Sequence, residues 1–63
     1  MNRYAVEIMS GNEPTSLAFA KTTSPQAAAE WITGRKMQDR QGEADWVRVT
    51  DQSNRVVYKF AFK

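Results

Sequence analysis

Few side chains in this sequence are of the kinds that usually carry out catalysis. Cysteine and histidine are both absent, so the commonest zinc and haem ligands are missing, together with the thiol nucleophile and the imidazole base. Ser10, Ser16, Ser24 and Ser53 therefore have no histidine to activate them. We expect a non-enzymatic protein with no catalytic residue, no cofactor and no small-molecule substrate.

Two short patterns are reminiscent of ligand sites. Glu43 and Asp45 place two carboxylates in one loop, but no third acidic ligand follows at the spacing of a calcium loop. Residues 34–36 read GRK without the preceding glycine and the following Ser or Thr of a phosphate loop. We interpret the two acids as solvated, and the cations of this segment, with Arg40, as charges that oppose the negative pole of a helix end. No metal site is predicted.

The clearest structural signal is a helix that begins at Pro25. The Ser24 hydroxyl can accept a hydrogen bond from the first turn, and the fixed φ of proline suits the first helical position. The alanine-rich segment that follows favours helix. We predict that Trp31 and Ile32 anchor this helix on a sheet and that it continues to about Met37.

Alternating apolar residues predict two strands before the helix and two after it. The four segments are residues 3–9, 15–22, 46–51 and 55–62, and polar turns at 10–14, 40–45 and 52–54 separate them, with Asn54 expected in a left-handed conformation. The predicted fold class is α+β, a single domain (1–63) of order ββαββ. It has one four-stranded antiparallel sheet with a single helix on one face. With both hairpins intact, the strand directions permit the second hairpin to lie beside the first, and the strand order is left open.

The alternation also divides the strand residues between two faces of the sheet. The residues expected in the core are Tyr4, Val6, Ile8, Leu17, Phe19, Trp31, Ile32, Val47, Val49, Tyr58 and Phe60. One helix covers only one side of such a sheet, so the other side is free for water or a partner. That side is expected to carry Arg3, Ala5, Glu7, Ala18, Ala20, Trp46, Arg48, Thr50, Val57, Lys59 and Ala61, with Lys63 at its end.

The uncovered face is the candidate binding surface, with Arg3, Trp46, Arg48, Lys59 and Lys63 as partner-binding residues. Its small residues make a flat surface, and aromatic and arginine side chains are enriched where protein interfaces concentrate their energy. An exposed edge strand offers a second route to the same kind of partner. The favoured hypothesis is a protein-binding module that self-associates or docks on a larger protein.

Nucleic acid is the alternative partner for this face. Arg48, Lys59 and Lys63 would contact phosphates while Trp46 stacks on a base. The net charge of +2 permits such binding without indicating it. A purely structural interpretation is also open, in which these charges are solvated and Trp46 caps the edge of the core.

The chain length favours association with a partner. A chain of 63 residues buries only about 60% of its unfolded surface, and no disulfide is available to stabilise it. No apolar run approaches the roughly 20 residues that cross a bilayer, and the first residues lack an apolar signal region. We expect a cytoplasmic protein with no membrane partner.

Three segments carry a resemblance to known sequences: NRYAVEI, SPQAAAEWI and WVRVTDQSNRVVYKF. Together they resemble a loose class of short bacterial ββαββ proteins with no assigned activity, whose terminal hairpin has the form V-T-D-x-x-x-R-V. The size and element order are also similar to those of some small phage-encoded inhibitors of bacterial defence. The resemblance implies a bacterial or phage origin and no known active site.

Overall fold

A computed structural model describes all 63 residues and shows one helix on one face of a five-stranded antiparallel sheet. The elements are β1 (Asn2–Ser10), β2 (Glu13–Thr22), α1 (Pro25–Thr33), β3 (Met37–Asp39), β4 (Asp45–Asp51) and β5 (Val57–Phe62). The strand order is β2-β1-β4-β5-β3. The α+β class is confirmed, and the second hairpin lies beside the first because β1 pairs with β4. The prediction of four strands is wrong by one, since β3 adds a short strand at the edge beyond β5.

The helix begins at Pro25, as predicted. The Ser24 hydroxyl accepts a hydrogen bond from the Ala27 N–H at 3.1 Å, which satisfies one of the free donors of the first turn. No helix in the structure is long and apolar enough to span a bilayer, α1 having nine residues.

The helix ends at Thr33 and does not reach Met37. Gly34 adopts a left-handed conformation, with φ 69°, and its N–H donates to the Glu30 carbonyl at 2.8 Å. This is the conformation in which glycine terminates helices, because it has no Cβ to clash. Met37 is thereby released to begin β3, where it pairs with Phe62.

The side of the helix that faces the sheet is made of alanine. Ala28 and Ala29 are fully buried and Ile32 is partly buried, whereas Trp31 is 69% exposed. The prediction that Trp31 anchors the helix is wrong. Short alanines, together with Ala20 on β2, let the helix approach the sheet closely, and an indole does not fit in that gap.

The cations after the helix do not cap it, because the last turn of α1 contains no basic residue. Arg35 lies over the Phe62 ring, 4.3 Å from its centroid, and Arg40 lies over the Trp46 ring at the same distance. The capping interpretation of Arg35, Lys36 and Arg40 is therefore wrong. Two of these residues instead cover aromatic rings.

The core between helix and sheet contains buried side chains from the helix and all five strands. It comprises Tyr4, Val6, Ala20, Ala28, Ala29, Met37, Val47, Val49 and Phe60, with Ile32, Tyr58 and Phe62 packed against it. The predictions for β1, β4 and β5 are confirmed by Tyr4, Val6, Val47, Val49 and Phe60. Ile8 is only half-buried.

Strand β2 has the opposite orientation to the predicted one. Leu17 and Phe19 were expected in the core but are 58% and 57% exposed, while Ala20, expected on the free face, is buried under the helix. The pairing of Ala18 with Val6 turns Ala18 to the helix side as well. Small residues are needed on that side, because the helix lies close above it.

The turn between β4 and β5 is organised by Asp51. Its carboxylate accepts from the Ser53 N–H at 2.8 Å, and its carbonyl accepts from the Arg55 N–H at 2.8 Å. Arg55 has the positive φ, 61°, that was predicted for Asn54. Asn54 instead uses its side-chain oxygen to accept from the Val56 N–H, so the left-handed position moves one residue along the chain.

Candidate functional site

The side of the sheet away from the helix, called the open face below, carries three rows of paired residues that cross four strands, with the Arg3–Lys21 pair beyond them. A central charged row lies between two rows of mostly apolar residues. The rows are Phe19–Ala5–Thr50–Val57, Leu17–Glu7–Arg48–Lys59 and Pro14–Met9–Trp46–Ala61. As predicted, Trp46, Arg48 and Lys59 lie together on this face.

Trp46 is buried even though it lies on the open face. Only 5% of it is exposed, and its indole N–H donates to the Gly11 carbonyl at 2.7 Å. The Arg40 guanidinium lies 4.3 Å from the ring centroid and is itself held by the Glu43 carbonyl, at 3.2 Å from Nε and 3.0 Å from Nη2. The loop after β3 thus covers this end of the face, and a base can stack on Trp46 only if Arg40 moves.

The same loop is stabilised by a short local hydrogen bond. The Gln41 N–H donates to the Glu43 carboxylate at 2.6 Å, and this bond lowers the pKa of Glu43. The Glu43 carboxylate therefore stabilises the conformation of this loop. No cluster of three or more metal-ligating side chains occurs in the structure.

Arg48 is paired with Glu7 on the neighbouring strand. Its Nε and Nη2 atoms donate to the two carboxylate oxygens at 2.9 and 3.0 Å. The hydrogen bond to Glu7 raises the pKa of Arg48. Both side chains are partly exposed, so the pair presents a nearly neutral polar centre to any partner.

The other predicted binding residues are spread more widely. The Lys59 ammonium is exposed and lies 5.9 Å from the Trp46 centroid. Arg3 is exposed beside Lys21 at the far end of the face. Lys63 follows β5 and donates its N–H to the Lys36 carbonyl. A shallow cleft of about 460 Å³ brings together Met9, Asn12, Arg40, Trp46, Arg48, Val57 and Lys59, and Arg3 and Lys63 do not line it.

The sheet edge formed by β2 carries the residues that sequence reasoning missed. Leu17 and Phe19 stand on the open face, more than half exposed, on a strand with only one neighbour. Two features of the sequence indicate that these residues lie on the open face of an edge strand. Lys21 shares their alternation phase, and Pro14, which cannot donate a ladder hydrogen bond, is typical of an edge strand or a bulge. The register between β1 and β2 does shift beside Pro14.

The main-chain groups of Leu17, Phe19 and Lys21 point away from the sheet. The Gln52 N–H donates to the Arg3 carbonyl, so the odd-numbered residues of β1 bond toward β4 and the even-numbered ones toward β2. The register then makes Ala18 and Ala20 the bonded partners of β1. The intervening residues of β2 therefore have free N–H and C=O groups.

No family model matches the chain, and no curated protein or solved structure is significantly similar to it. The candidate function is therefore inferred from the surface of this chain. The most distinctive feature of that surface is the β2 edge with Leu17 and Phe19.

Proposed function

We propose that this protein is a small non-enzymatic protein-binding module that docks on a partner protein, or on a second copy of itself, through the β2 edge and the adjoining open face. The observation that carries the proposal is the exposure of Leu17 and Phe19, at 58% and 57%, on an edge strand whose outer side has no neighbouring strand. Edge strands with free main-chain groups are templates for pairing with another chain.

The chemistry around these two residues supports a protein partner. A partner strand would gain hydrogen bonds from the main chain of β2 and would bury Leu17 and Phe19, each worth about 1.5–3 kcal/mol when fully removed from water. The neighbouring charges of Glu7 and Arg48 already satisfy each other. A partner that covers these two charges therefore leaves neither of them unpaired beneath it.

Site-specific photocrosslinking in cells that express the chain natively tests this proposal. Phe19 is replaced by a photoreactive phenylalanine analogue, and the control carries the same analogue at Ser53, which is exposed in the β4–β5 turn away from β2. We expect a discrete crosslinked product from position 19 that is absent from position 53. Leu17→Glu in the same chain should abolish it. Equal or absent crosslinking at both positions would exclude the β2 edge as the docking site.

Nucleic acid remains the second candidate. The observation in its favour is that Arg40, Arg48 and Lys59 line one cleft. The position of Arg40 over the Trp46 ring disfavours stacking of a base on that ring. Fluorescence titration with single-stranded oligonucleotides in a Trp31→Phe variant isolates Trp46. Binding should weaken steeply with salt if phosphates are contacted, and an unchanged signal at low salt would end this candidate.

A further inference from the structure

We infer that the partner at the β2 edge is a second copy of this chain, with β2 pairing antiparallel to its own counterpart across a two-fold axis centred on Ala18. This inference rests on the proposed docking function and names its partner. Two-fold association requires a surface that is complementary to itself. Three independent features of β2 meet that requirement.

The first feature is the extent of the free edge. Pairing is limited at one end by Pro14, which has no N–H, and at the other by the end of the strand at Thr22. The segment between these limits runs from Thr15 to Thr22. Two self-pairings of seven residues place outward-pointing main-chain groups opposite one another within it, one centred on Ala18 and one centred on Phe19. The second sets Leu17 opposite Lys21, whereas the first sets Leu17 opposite Phe19, so the apolar pairing selects Ala18.

The second feature is the pairing of side chains in this register. Residues whose main-chain groups point outward fall opposite one another, so Leu17 forms hydrogen bonds with Phe19 of the partner subunit, and Phe19 with Leu17 of the partner subunit. A two-fold axis perpendicular to the sheet places both open faces on the same side. The four exposed side chains then form one apolar cluster of aromatic–aliphatic cross-strand pairs, which is a favourable combination.

The third feature is charge. The edge is basic at one end, where Arg3 lies beside Lys21, and acidic at the other, where Glu13 begins β2. Antiparallel self-pairing brings the basic end of one copy next to the acidic end of the other, whereas parallel pairing would join like charges. This complementarity favours the antiparallel arrangement.

The resulting assembly is a continuous sheet with one helix from each copy on the same side. A strand edge with four side chains buries less than the about 800 Å² per partner of a standard interface. We therefore expect reversible dimerisation with a dissociation constant in the micromolar range.

Light scattering coupled to size exclusion, from low to high micromolar concentration, is the first test. The expected mass rises from 7.2 kDa toward about twice that value. Phe19→Glu should weaken the dimer at least about tenfold. The matched control is Val57→Glu, an exposed residue of the same face on a strand away from β2, which should leave the dimer intact. Circular dichroism verifies that both variants are folded.

The absence of native cysteine allows a test of the register. Ala18→Cys should form a symmetric disulfide under mild oxidation, because residues facing each other across a non-hydrogen-bonded pair are close enough for one. Ser16→Cys is the control on the same strand. In this register the two cysteines at position 16, one in each subunit, are offset by four residues along the strand direction, about 13 Å, and should not crosslink.

Each result either supports or overturns the inference. A strict monomer at every concentration, a dimer that survives Phe19→Glu, or one that Val57→Glu also dissociates would overturn the edge dimer. Crosslinking through Ser16→Cys and not through Ala18→Cys would overturn the register. If the protein is monomeric and position 19 still crosslinks to a larger protein in cells, a second copy is excluded as the partner, and the proposed docking function is retained.

Discussion

At the scale of single residues, Glu30 connects the helix to β3. Its carboxylate accepts from the Met37 N–H at 3.0 Å and from the Gln26 side chain at 3.4 Å. The Met37 hydrogen bond is the largest cause of the lowered pKa of Glu30, followed by Gln26, with smaller contributions from nearby lysines. One partly exposed acid thus satisfies the first N–H of an edge strand.

This contact predicts a pH-dependent contribution to stability. Because the folded-state pKa of Glu30 lies below its ordinary value of 4.5, its stabilising effect is complete above that value and is lost as the pH falls through the folded-state pKa. We expect Glu30→Gln to be less stable than wild type at neutral pH and to match it in strong acid. Urea unfolding between about pH 7 and about pH 3 measures the difference.

NMR distinguishes the effect of the Glu30–Met37 hydrogen bond from the titration of other carboxylates. The amide proton of Met37 should shift in NMR spectra as Glu30 titrates in the wild type, and should not follow that titration in Glu30→Gln. A stability difference that stays constant across the pH range would contradict the assignment.

At the scale of elements, the boundary between α1 and β3 depends on Gly34. A Cβ at this position meets no atom within 4 Å, so crowding plays no part and the positive φ of 69° is the only obstacle to another residue. The left-handed turn ends the helix and directs the chain to Met37. The short strand at the β5 edge is therefore a consequence of one backbone conformation.

Gly34→Ala should destabilise the protein by about 1 kcal/mol, because an L-residue with a Cβ is strained in the left-handed region. Gly34→Asn should cost less, since asparagine tolerates that region. Urea unfolding of the two variants gives the comparison. Equal effects from alanine and asparagine would indicate that the left-handed conformation is not what matters there.

At the scale of the whole molecule, the open face has two distinct regions. At one end, Met9 and Trp46 are buried, and Arg40, from the loop after β3, lies over the Trp46 ring. At the β2 edge, Leu17 and Phe19 are exposed. The first region contributes to the stability of the fold, and the second is available to a partner.

Two substitutions on the same face should therefore have very different effects. Met9→Ala removes a fully buried side chain and should cost about 2–5 kcal/mol. Leu17→Ala, measured below the concentration of self-association, should change the unfolding free energy by no more than about 0.5 kcal/mol. Comparable losses would mean that Leu17 is buried in the monomer, which would remove the basis of the proposed surface.

Local patterns account for a definite part of this structure. The helix start was predicted because a cap of Ser24 and Pro25 involves only neighbouring residues. The phases of β1, β4 and β5 were predicted because each has one clearly more apolar set of side chains. The placement of Trp46 and Arg48 on the open face followed from the same alternation.

The class of fold, the start of the helix and the face on which Trp46, Arg48 and Lys59 lie can be read from local residue patterns, since each depends on the composition and spacing of one segment. The orientation of β2 and the cover over Trp46 depend instead on contacts between distant segments. In β2 the alternation defines two sets of residues, and the space beneath α1 selects the alanine set for the core. Leu17 and Phe19 are left outside because large side chains do not fit under a closely packed helix, and that constraint comes from residues distant in the chain.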